Sequence, residues 1–244
     1  MNTKFGIQLL VKGDYALFTR PEMKSERVSY DVMTPSAARG ILAGIYWKPA
    51  IEWVITGIRV LKPIQFFHIK RNEVDKLAIT ASKTEMASKE AIPKKALYIE
   101  ENRQLRSSLV LKDVAYVIDA YIKVIDTKES DGSVLSCPEA KHIDTFKRRA
   151  SSGKCFYQPY FGCREFPVDF QLIDSENDWK SQDQLCVRDN DFGYMLHDLA
   201  YYSDKKGAIQ IVGKKGNYSA KPQFFRASMV DGYISVPPFS ESQP

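Results

Sequence analysis

Lys141 and His142 are the neighbouring residues of this chain whose side chains could most directly do chemistry. A helix predicted to open at Ser136 places them in its first turns, where backbone N–H groups and the helix dipole favour an anion. A histidine can transfer a proton near neutral pH, and an adjacent ammonium can stabilise developing negative charge. The pair suggests acid–base chemistry on an anionic substrate, although a histidine here is also common as an ordinary surface residue.

Three basic residues follow on the same predicted helix: Lys147, Arg148 and Arg149. Spaced along a helix, they could track a phosphate backbone. Positive charge near the end of a helix also complements the helix dipole, so a solvated helix face is the alternative.

An earlier helix is predicted from Thr34 to Trp47. Thr34 is a good N-cap, and Pro35 suits the first helical position because its missing N–H would be unpaired there anyway. Pro49 ends the helix, since the residue before a proline is disfavoured in helical geometry. The apolar residues of one face recur at helical spacing, namely Ala38, Ile41, Leu42 and Ile45.

The end of this earlier helix carries polar and aromatic groups, Tyr46, Trp47 and Lys48. The irregular segment before the helix is basic and could bind an anion beside them through Arg20, Lys24 and Arg27. For Tyr46 alone, a half-buried aromatic at the end of an amphipathic helix is the simpler interpretation.

The order of predicted elements indicates an α+β fold in which strand–helix–strand occurs twice, with an insertion between the halves. This is the ferredoxin-like (RRM-like) βαββαβ arrangement. We expect it to occupy residues 1–173, followed by a small antiparallel β appendage over residues 174–244. In the first unit, strands are predicted over 4–12, 51–61 (with a continuation through 65–70 left open), 110–125 and 155–173. An insertion is predicted over 76–104, and a second helix from Ser136 to a stop at Gly153. A boundary over 174–191 is followed by short strands over 208–213, 223–230 and 232–236.

The composition is that of a globular protein with one or two domains: 244 residues, 44% hydrophobic and 27% charged. A net charge of +5 with 13 Tyr and 13 Phe suits single-stranded nucleic acid, and a slightly basic protein of another kind fits as well. We expect no signal peptide, because the N-terminal apolar run from Ile7 to Val11 is too short for one. We expect no membrane partner, because no apolar run approaches the ~18 residues of a membrane span. We also expect a cytoplasmic location.

Metal and cofactor chemistry finds little support in the sequence. The four cysteines have no C-x-x-C spacing and no nearby histidines, so we expect reduced thiols rather than a zinc site or disulfides at Cys137, Cys155, Cys163 and Cys186. There is no P-loop, no dinucleotide-binding glycine fingerprint and no H-E-x-x-H. The kinase-like triplet at Asp191–Gly193 has no companion motifs and is a chance match.

Four segments resemble one known family: GDYALFTRPEMKSERVSYDVMTPSAARGILAGIYWKP (13–49), VLKPIQF (60–66), SLVLKDVAYVIDAYI (108–122) and FGCREF (161–166). They are similar to the type I-C (Dvulg-subtype) CRISPR-associated precursor-RNA endoribonuclease of the RAMP superfamily. The likeness runs from about residue 4 to about residue 170 and weakens after that.

This resemblance implies an enzyme that binds the hairpin of each CRISPR repeat and cuts at its 3′ base without a metal or other cofactor. Attack of the ribose 2′-OH leaves a 2′,3′-cyclic phosphate, and the enzyme stays on its product as a subunit of the type I-C surveillance complex. The family's catalytic residues fall on Tyr46, Lys141 and His142. On this basis His142 would transfer a proton and Lys141 would stabilise negative charge. Tyr46 would carry out the complementary proton transfer or orient the substrate.

The RNA-binding residues expected on this basis are Arg20, Lys24, Arg27, Arg39, Lys147, Arg148 and Arg149, with weaker candidates in Lys70 and Arg71. Two other functions remain open. One is a non-catalytic scaffold that binds the crRNA handle, and the other is a metal-dependent nuclease that binds double-stranded DNA without sequence specificity.

Overall fold

A nine-stranded sheet with few helices makes up the computed structural model, which describes residues 6–23, 25–76, 97–127, 137–173, 189–211 and 216–242. The sheet order is β6-β1-β5-β3-β9-β8-β7, with β2 and β4 also paired to β5. This confirms the predicted α+β class. The elements are β1 (Gly6–Ala16), β2 (Arg27–Val28), α1 (Pro35–Ile45), β3 (Ile51–Val60), β4 (Phe66–Val74), α2 (Ile99–Asn102), β5 (Arg103–Val124), α3 (Pro138–Ser151), β6 (Asp169–Leu172), β7 (Asn190–Ser203), β8 (Tyr218–Val230), β9 (Tyr233–Ser235) and a 3-10 turn (Phe239–Glu241).

The central strand is β5, which lies between β1 and β3 and is antiparallel to both. It is buried on both faces from Val114 to Ile118, as its apolar sequence predicts. One face packs in the main core with residues of α1 and α3. On the other face, Ala115 and Val117 join a smaller apolar cluster with Leu10, Leu61 and Ile173.

The helix α1 begins as predicted but ends two residues before the predicted Trp47. The Thr34 side chain accepts a hydrogen bond from the Ala37 N–H at 3.3 Å, and Pro35 is the first helical residue. The four predicted apolar positions are buried in the core. The helix ends at Ile45, and Tyr46 follows in an extended conformation.

The helix α3 begins one position later than the predicted capping box requires. Pro138 is the first helical residue, so the N-cap position falls on Cys137, whose side chain makes no capping hydrogen bond. The predicted N-cap, Ser136, lies outside the described residues. The expected stop is confirmed, because Gly153 has a φ of 64°, which few other residues adopt.

The predicted strand over residues 155–173 is wrong except at β6. Prolines at 159 and 167 interrupt the segment, and Gly162 has a φ of 77°. Instead, this irregular segment crosses α1, where the Phe156 N–H donates to the Gly44 carbonyl at 2.8 Å. A Cβ at residue 44 would lie 3.0 Å from the Tyr157 ring, so the glycine permits this close approach.

The predicted insertion over residues 76–104 is wrong at its C-terminal end, since α2 and the beginning of β5 lie there. Residues 77–96 are outside the described part. The strand β4 is separate from β3 and pairs antiparallel with the N-terminal half of β5, from Phe66 opposite Leu111 to Val74 opposite Arg103. We call these two strands, together with the short β2 that pairs with β5 at Arg27 opposite Ser108, the β4–β5 arm.

The C-terminal strands continue the main sheet, because β9 pairs with β3 at Gly57–Arg59 as well as with β8. The strand β7 was not predicted. Of the strand expected over 208–213, the described residues 208–211 form a single bridge, between Ile209 and Tyr218. The predicted boundary falls mostly on residues 174–188, outside the described chain, and the division into two domains stays a prediction.

Cys137, Cys155 and Cys163 are free thiols, while Cys186 lies outside the described residues. Within the part of the chain that is described, no helix is long and apolar enough to cross a membrane.

Candidate active site

Tyr46 and His142 are in direct contact although 96 residues separate them in the chain. The Tyr46 hydroxyl lies 2.8 Å from Nδ1 of His142. Both residues are buried, with 8% of Tyr46 and 5% of His142 exposed. The structure thus brings together two of the three residues that the sequence resemblance assigns to catalysis.

The end of α1 fixes Tyr46 through its backbone. Its N–H donates to the Leu42 carbonyl at 2.9 Å, and its carbonyl accepts from the Trp53 indole N–H at 2.8 Å. The extended conformation of Tyr46 turns the chain away from the helix. Both hydrogen bonds restrain the peptide units on either side of the side chain.

Trp53, on β3, also fixes the helix that carries His142. Its ring meets Phe146 of α3 edge-on, with the ring centroids 4.8 Å apart. Phe146 and Ile143 are buried in the core, and they hold the inner face of α3 against the sheet. Sequence reasoning missed Trp53, because nothing in an alternating strand marks one buried aromatic as the contact between two distant helices.

Lys141 precedes His142 on α3 and is exposed. Its backbone N–H donates to the Cys137 carbonyl at 3.4 Å, and its carbonyl accepts from the Thr145 hydroxyl at 2.8 Å. The pair on α3 is thus divided, with the histidine in the interior and the lysine at the surface.

A cleft of about 540 Å³ opens beside Tyr46. Its polar wall is basic, and none of the described residues that line it is acidic. The cations on its wall are Arg39, Lys48 and Arg149, and the aromatic side chains are Tyr46, Trp47, Phe156 and Tyr157. Phosphate and nucleobase are the chemical groups that such a combination of cations and aromatic faces binds.

Three of the four aromatic side chains of the cleft are open to solvent, whereas Tyr46 is buried. Phe156 is 84% exposed, and about half of the Trp47 and Tyr157 side chains is exposed. Partial burial raises the pKa of the Tyr157 hydroxyl further above neutral pH, so the ring stays uncharged. Sequence reasoning missed Phe156 and Tyr157 because their segment was predicted to be a strand.

The cations of the cleft differ in their partners. The Arg39 guanidinium holds the Asp198 carboxylate through Nε and Nη2, and the Nη2–Oδ1 distance is 2.9 Å. Arg149 has a buried Nε without a hydrogen-bond partner in the described part of the chain. The other basic residues of α3, Lys147 and Arg148, are exposed.

The remaining predicted RNA-binding residues lie on other elements. Arg20 pairs with Asp31 at 2.7 Å and stacks over Tyr30. Arg27 pairs with Glu73 of β4 at 3.4 Å. Lys24 lies outside the described residues, and of the weaker candidates Lys70 is exposed on β4 while Arg71 pairs with Glu73 and Glu165.

The possible metal ligands are scattered. Among the described residues, no group of three or more His, Cys, Asp or Glu side chains could hold a metal ion.

The fold and the cleft define an α+β protein with a basic, aromatic-lined cleft beside a tyrosine–histidine pair. The profile of a Cas5d family, described as CRISPR-associated protein (Cas_Cas5), matches residues 6–237. The chain belongs to this family, which confirms the family resemblance found in the sequence.

Two relatives match the chain over nearly its whole length. A protein of Mannheimia succiniciproducens named CRISPR pre-crRNA endoribonuclease Cas5d is 48% identical over 236 residues, which cover 96% of this chain and 95% of the relative. A protein of the same name from Thermus thermophilus is 37% identical over 240 residues, which cover 95% and 91%.

Two solved structures share the fold. A functionally uncharacterized protein from Streptococcus mutans superposes with a TM-score of 0.62 at 23% identity, and a CRISPR-associated protein does so with 0.61 at 20% identity. Each comparison covers 98% of this chain and 95% of the other.

Proposed function

We propose that this protein is an endoribonuclease that cleaves precursor CRISPR RNA within its repeat. The names of two nearly full-length relatives support this activity. The observation that carries the proposal is the 2.8 Å contact between Tyr46 Oη and His142 Nδ1, beside a cleft with basic and aromatic walls. A proton-transfer pair and an anion-binding wall are the two components that RNA cleavage by an internal hydroxyl needs.

The proposed reaction is an in-line attack of a ribose 2′-OH on the adjacent phosphorus. The 2′ oxygen forms a bond to phosphorus and loses its proton to a base, and the bond to the 5′ oxygen breaks as that oxygen gains a proton from an acid. The products are a 2′,3′-cyclic phosphate and a 5′-OH, and no metal or other cofactor takes part. Positive charge near the phosphate stabilises the transition state, and we assign this role to Lys141.

Tyr46 and His142 share the proton transfers in this scheme. Tyr46 lines the cleft, and His142 lies behind it within hydrogen-bonding distance. A tyrosine hydroxyl is a plausible acid and a poor base at neutral pH, whereas a histidine can act as either. With Nδ1 of His142 protonated and donating to the Tyr46 oxygen, the Tyr46 hydroxyl can donate its own proton into the cleft. Tyr46 can then give that proton to the leaving 5′ oxygen and regain one from Nδ1 of His142.

We also propose that the N-terminal part is a ferredoxin-like (RRM-like) unit. The chain order β1-α1-β3-β5-α3-β6 together with the sheet order β6-β1-β5-β3 supports it. In such a unit the two helices lie on the same face of the sheet, in keeping with the shared core of α1 and α3. After cleavage, the protein is expected to remain on its product as a subunit of the type I-C surveillance complex.

The test is single-turnover cleavage of a labelled repeat RNA in excess chelator. We expect one cut, and its loss when the nucleotide at the cut carries 2′-deoxyribose. His142→Ala should slow cleavage by about 100- to 10,000-fold, the usual contribution of a proton-transfer group, with RNA binding retained. His68→Ala is the matched control, because this histidine is exposed on β4.

Three outcomes would contradict the proposal. Cleavage of the 2′-deoxy RNA would exclude attack by the 2′-OH. Tight binding without any cleavage by the wild-type protein would indicate a non-catalytic scaffold. Cleavage that requires a divalent cation and acts on DNA would indicate a metal-dependent nuclease.

A further inference from the structure

We propose that the cleft beside Tyr46 binds one unpaired nucleotide next to the scissile phosphate, with its base stacked on Phe156. Trp47 and Tyr157 would flank the base, and Lys48 and Arg149 would hold its phosphate. This inference rests on the proposed function, because it takes RNA as the substrate.

The position of Phe156 is fixed by the backbone around it. Its N–H donates to the Gly44 carbonyl of α1 at 2.8 Å, and its ring lies edge-on to Tyr157 with the centroids 6.2 Å apart. Yet its side chain is 84% exposed, whereas the aromatic residues of a core are covered. A large apolar ring held open to solvent on a fixed backbone is suited to binding a flat partner.

The cations of the cleft are suited to hold the phosphate of the same nucleotide. Arg149 lines the cleft, and because its Nε is buried, the Nη1 and Nη2 groups of its guanidinium are the donors that can face a phosphate oxygen. Lys48 lies in the loop after α1, where it is exposed and lines the cleft. Arg39, by contrast, is occupied by Asp198 and is expected to support the wall rather than the ligand.

The size and the location of the cleft favour a nucleotide over other occupants. A volume of about 540 Å³ lies in the range of sites for small organic ligands, roughly 300–1,000 Å³. An apolar peptide would use the aromatic faces but not the cations, and a duplex covers the faces of its own bases. An unpaired nucleotide uses both features, and binding it here brings its phosphate next to Tyr46.

The test measures binding and base environment separately from cleavage. Repeat RNAs made uncleavable by a 2′-deoxy nucleotide at the cut would carry 2-aminopurine at successive positions around it. We expect fluorescence quenching on binding at one position adjacent to the cut. Phe156→Ala should abolish that quenching and weaken binding by about 5- to 150-fold, the usual effect of removing one stacked base contact.

Phe156→Trp should restore both the quenching and the affinity, since it provides an aromatic face again. Tyr194→Ala is the matched control, because this tyrosine is exposed on β7 away from the cleft lining. Unchanged affinity and quenching in Phe156→Ala would overturn the inference. So would a defect of this variant only in assembly with a protein partner.

The same measurements distinguish failure of the proposed function from failure of the stacking site. A wild-type protein that binds the repeat with the Phe156-dependent quenching and never cuts it would refute the endoribonuclease activity and support the stacking site. A protein that cuts normally whether or not Phe156 is present would refute the stacking site alone.

Discussion

The cleft beside Tyr46 and the β4–β5 arm are both basic, but their positive charges have different partners. On the arm, Arg27, Arg71 and Arg106 surround the Glu73 carboxylate at 3.4, 3.4 and 3.8 Å. In the cleft, no described lining residue is acidic, and the Nε of Arg149 has no partner. The arm has positive charge that is partly neutralised within the protein. In the cleft, Arg39 is paired with Asp198, whereas Lys48 and Arg149 lie near aromatic faces and the Tyr46–His142 pair.

This difference suggests that the cleft and the arm have separate functions. Surface ion pairs such as those of Glu73 are weak, so the three arginines can still attract a phosphate backbone over several ångströms. The arginine side chains do not act as acids or bases at neutral pH. Tyr46 and His142, to which we assign proton transfer, are both buried beside the cleft. We therefore expect substitutions in the cleft to affect cleavage and substitutions on the arm to affect affinity.

The largest effect is expected for Tyr46→Phe, which removes one hydroxyl and keeps the ring. Single-turnover cleavage should fall by about 100- to 10,000-fold, with little change in RNA affinity. The variant also leaves Nδ1 of His142 without this partner, so its free energy of unfolding should fall by about 1–3 kcal/mol in urea titrations. Tyr194→Phe, on the exposed part of β7, is the control and should behave as wild type in both measurements.

A loss of affinity equal to the loss of cleavage in Tyr46→Phe would argue against separate functions for the two regions. It would mean that Tyr46 acts as a binding residue, as the arm arginines are expected to do.

The smallest effect is expected for Arg27→Ala on the arm. RNA affinity should fall a few-fold at low salt, and the slope of log affinity against log salt should decrease by about 1. The cleavage rate at saturating protein should not change. Arg226→Ala is the matched control, because this exposed arginine on β8 also pairs with a carboxylate, that of Asp191 at 2.6 Å.

Unchanged affinity of Arg27→Ala at both low and high salt would refute a phosphate contact on the arm. A slower cleavage step in this variant would remove the distinction between the two regions.

Local sequence signals were sufficient for the elements that carry Tyr46 and His142. The cap at Thr34, the proline after it and the helical spacing of the apolar residues act within one turn or two, so α1 could be predicted. The centre of β5 could be predicted because both of its faces are apolar. For α3, the buried stripe and the stop at Gly153 were predicted, and only the cap position was misplaced by one residue.

Long-range contacts account for what could not be predicted. The segment from Cys155 to Phe161 is aromatic and looks like a strand, but its hydrogen bonds to α1 and the proline within it, Pro159, make it irregular. The pairing of Arg39 with Asp198 joins residues 159 positions apart, and no local sequence pattern predicts it. The same holds for the Trp53 indole, whose hydrogen bond fixes the Tyr46 carbonyl.

The central claim is that Tyr46 and His142 act as one unit, and a double-mutant cycle tests it most directly. The cleavage rates of Tyr46→Phe, His142→Ala and the double variant would be compared under single-turnover conditions, with the folding of each checked by urea titration. Residues that act as a unit are strongly non-additive, so the double variant should cleave about as slowly as the slower single variant. Losses that multiply in the double variant would contradict the account, because they would show two groups working independently.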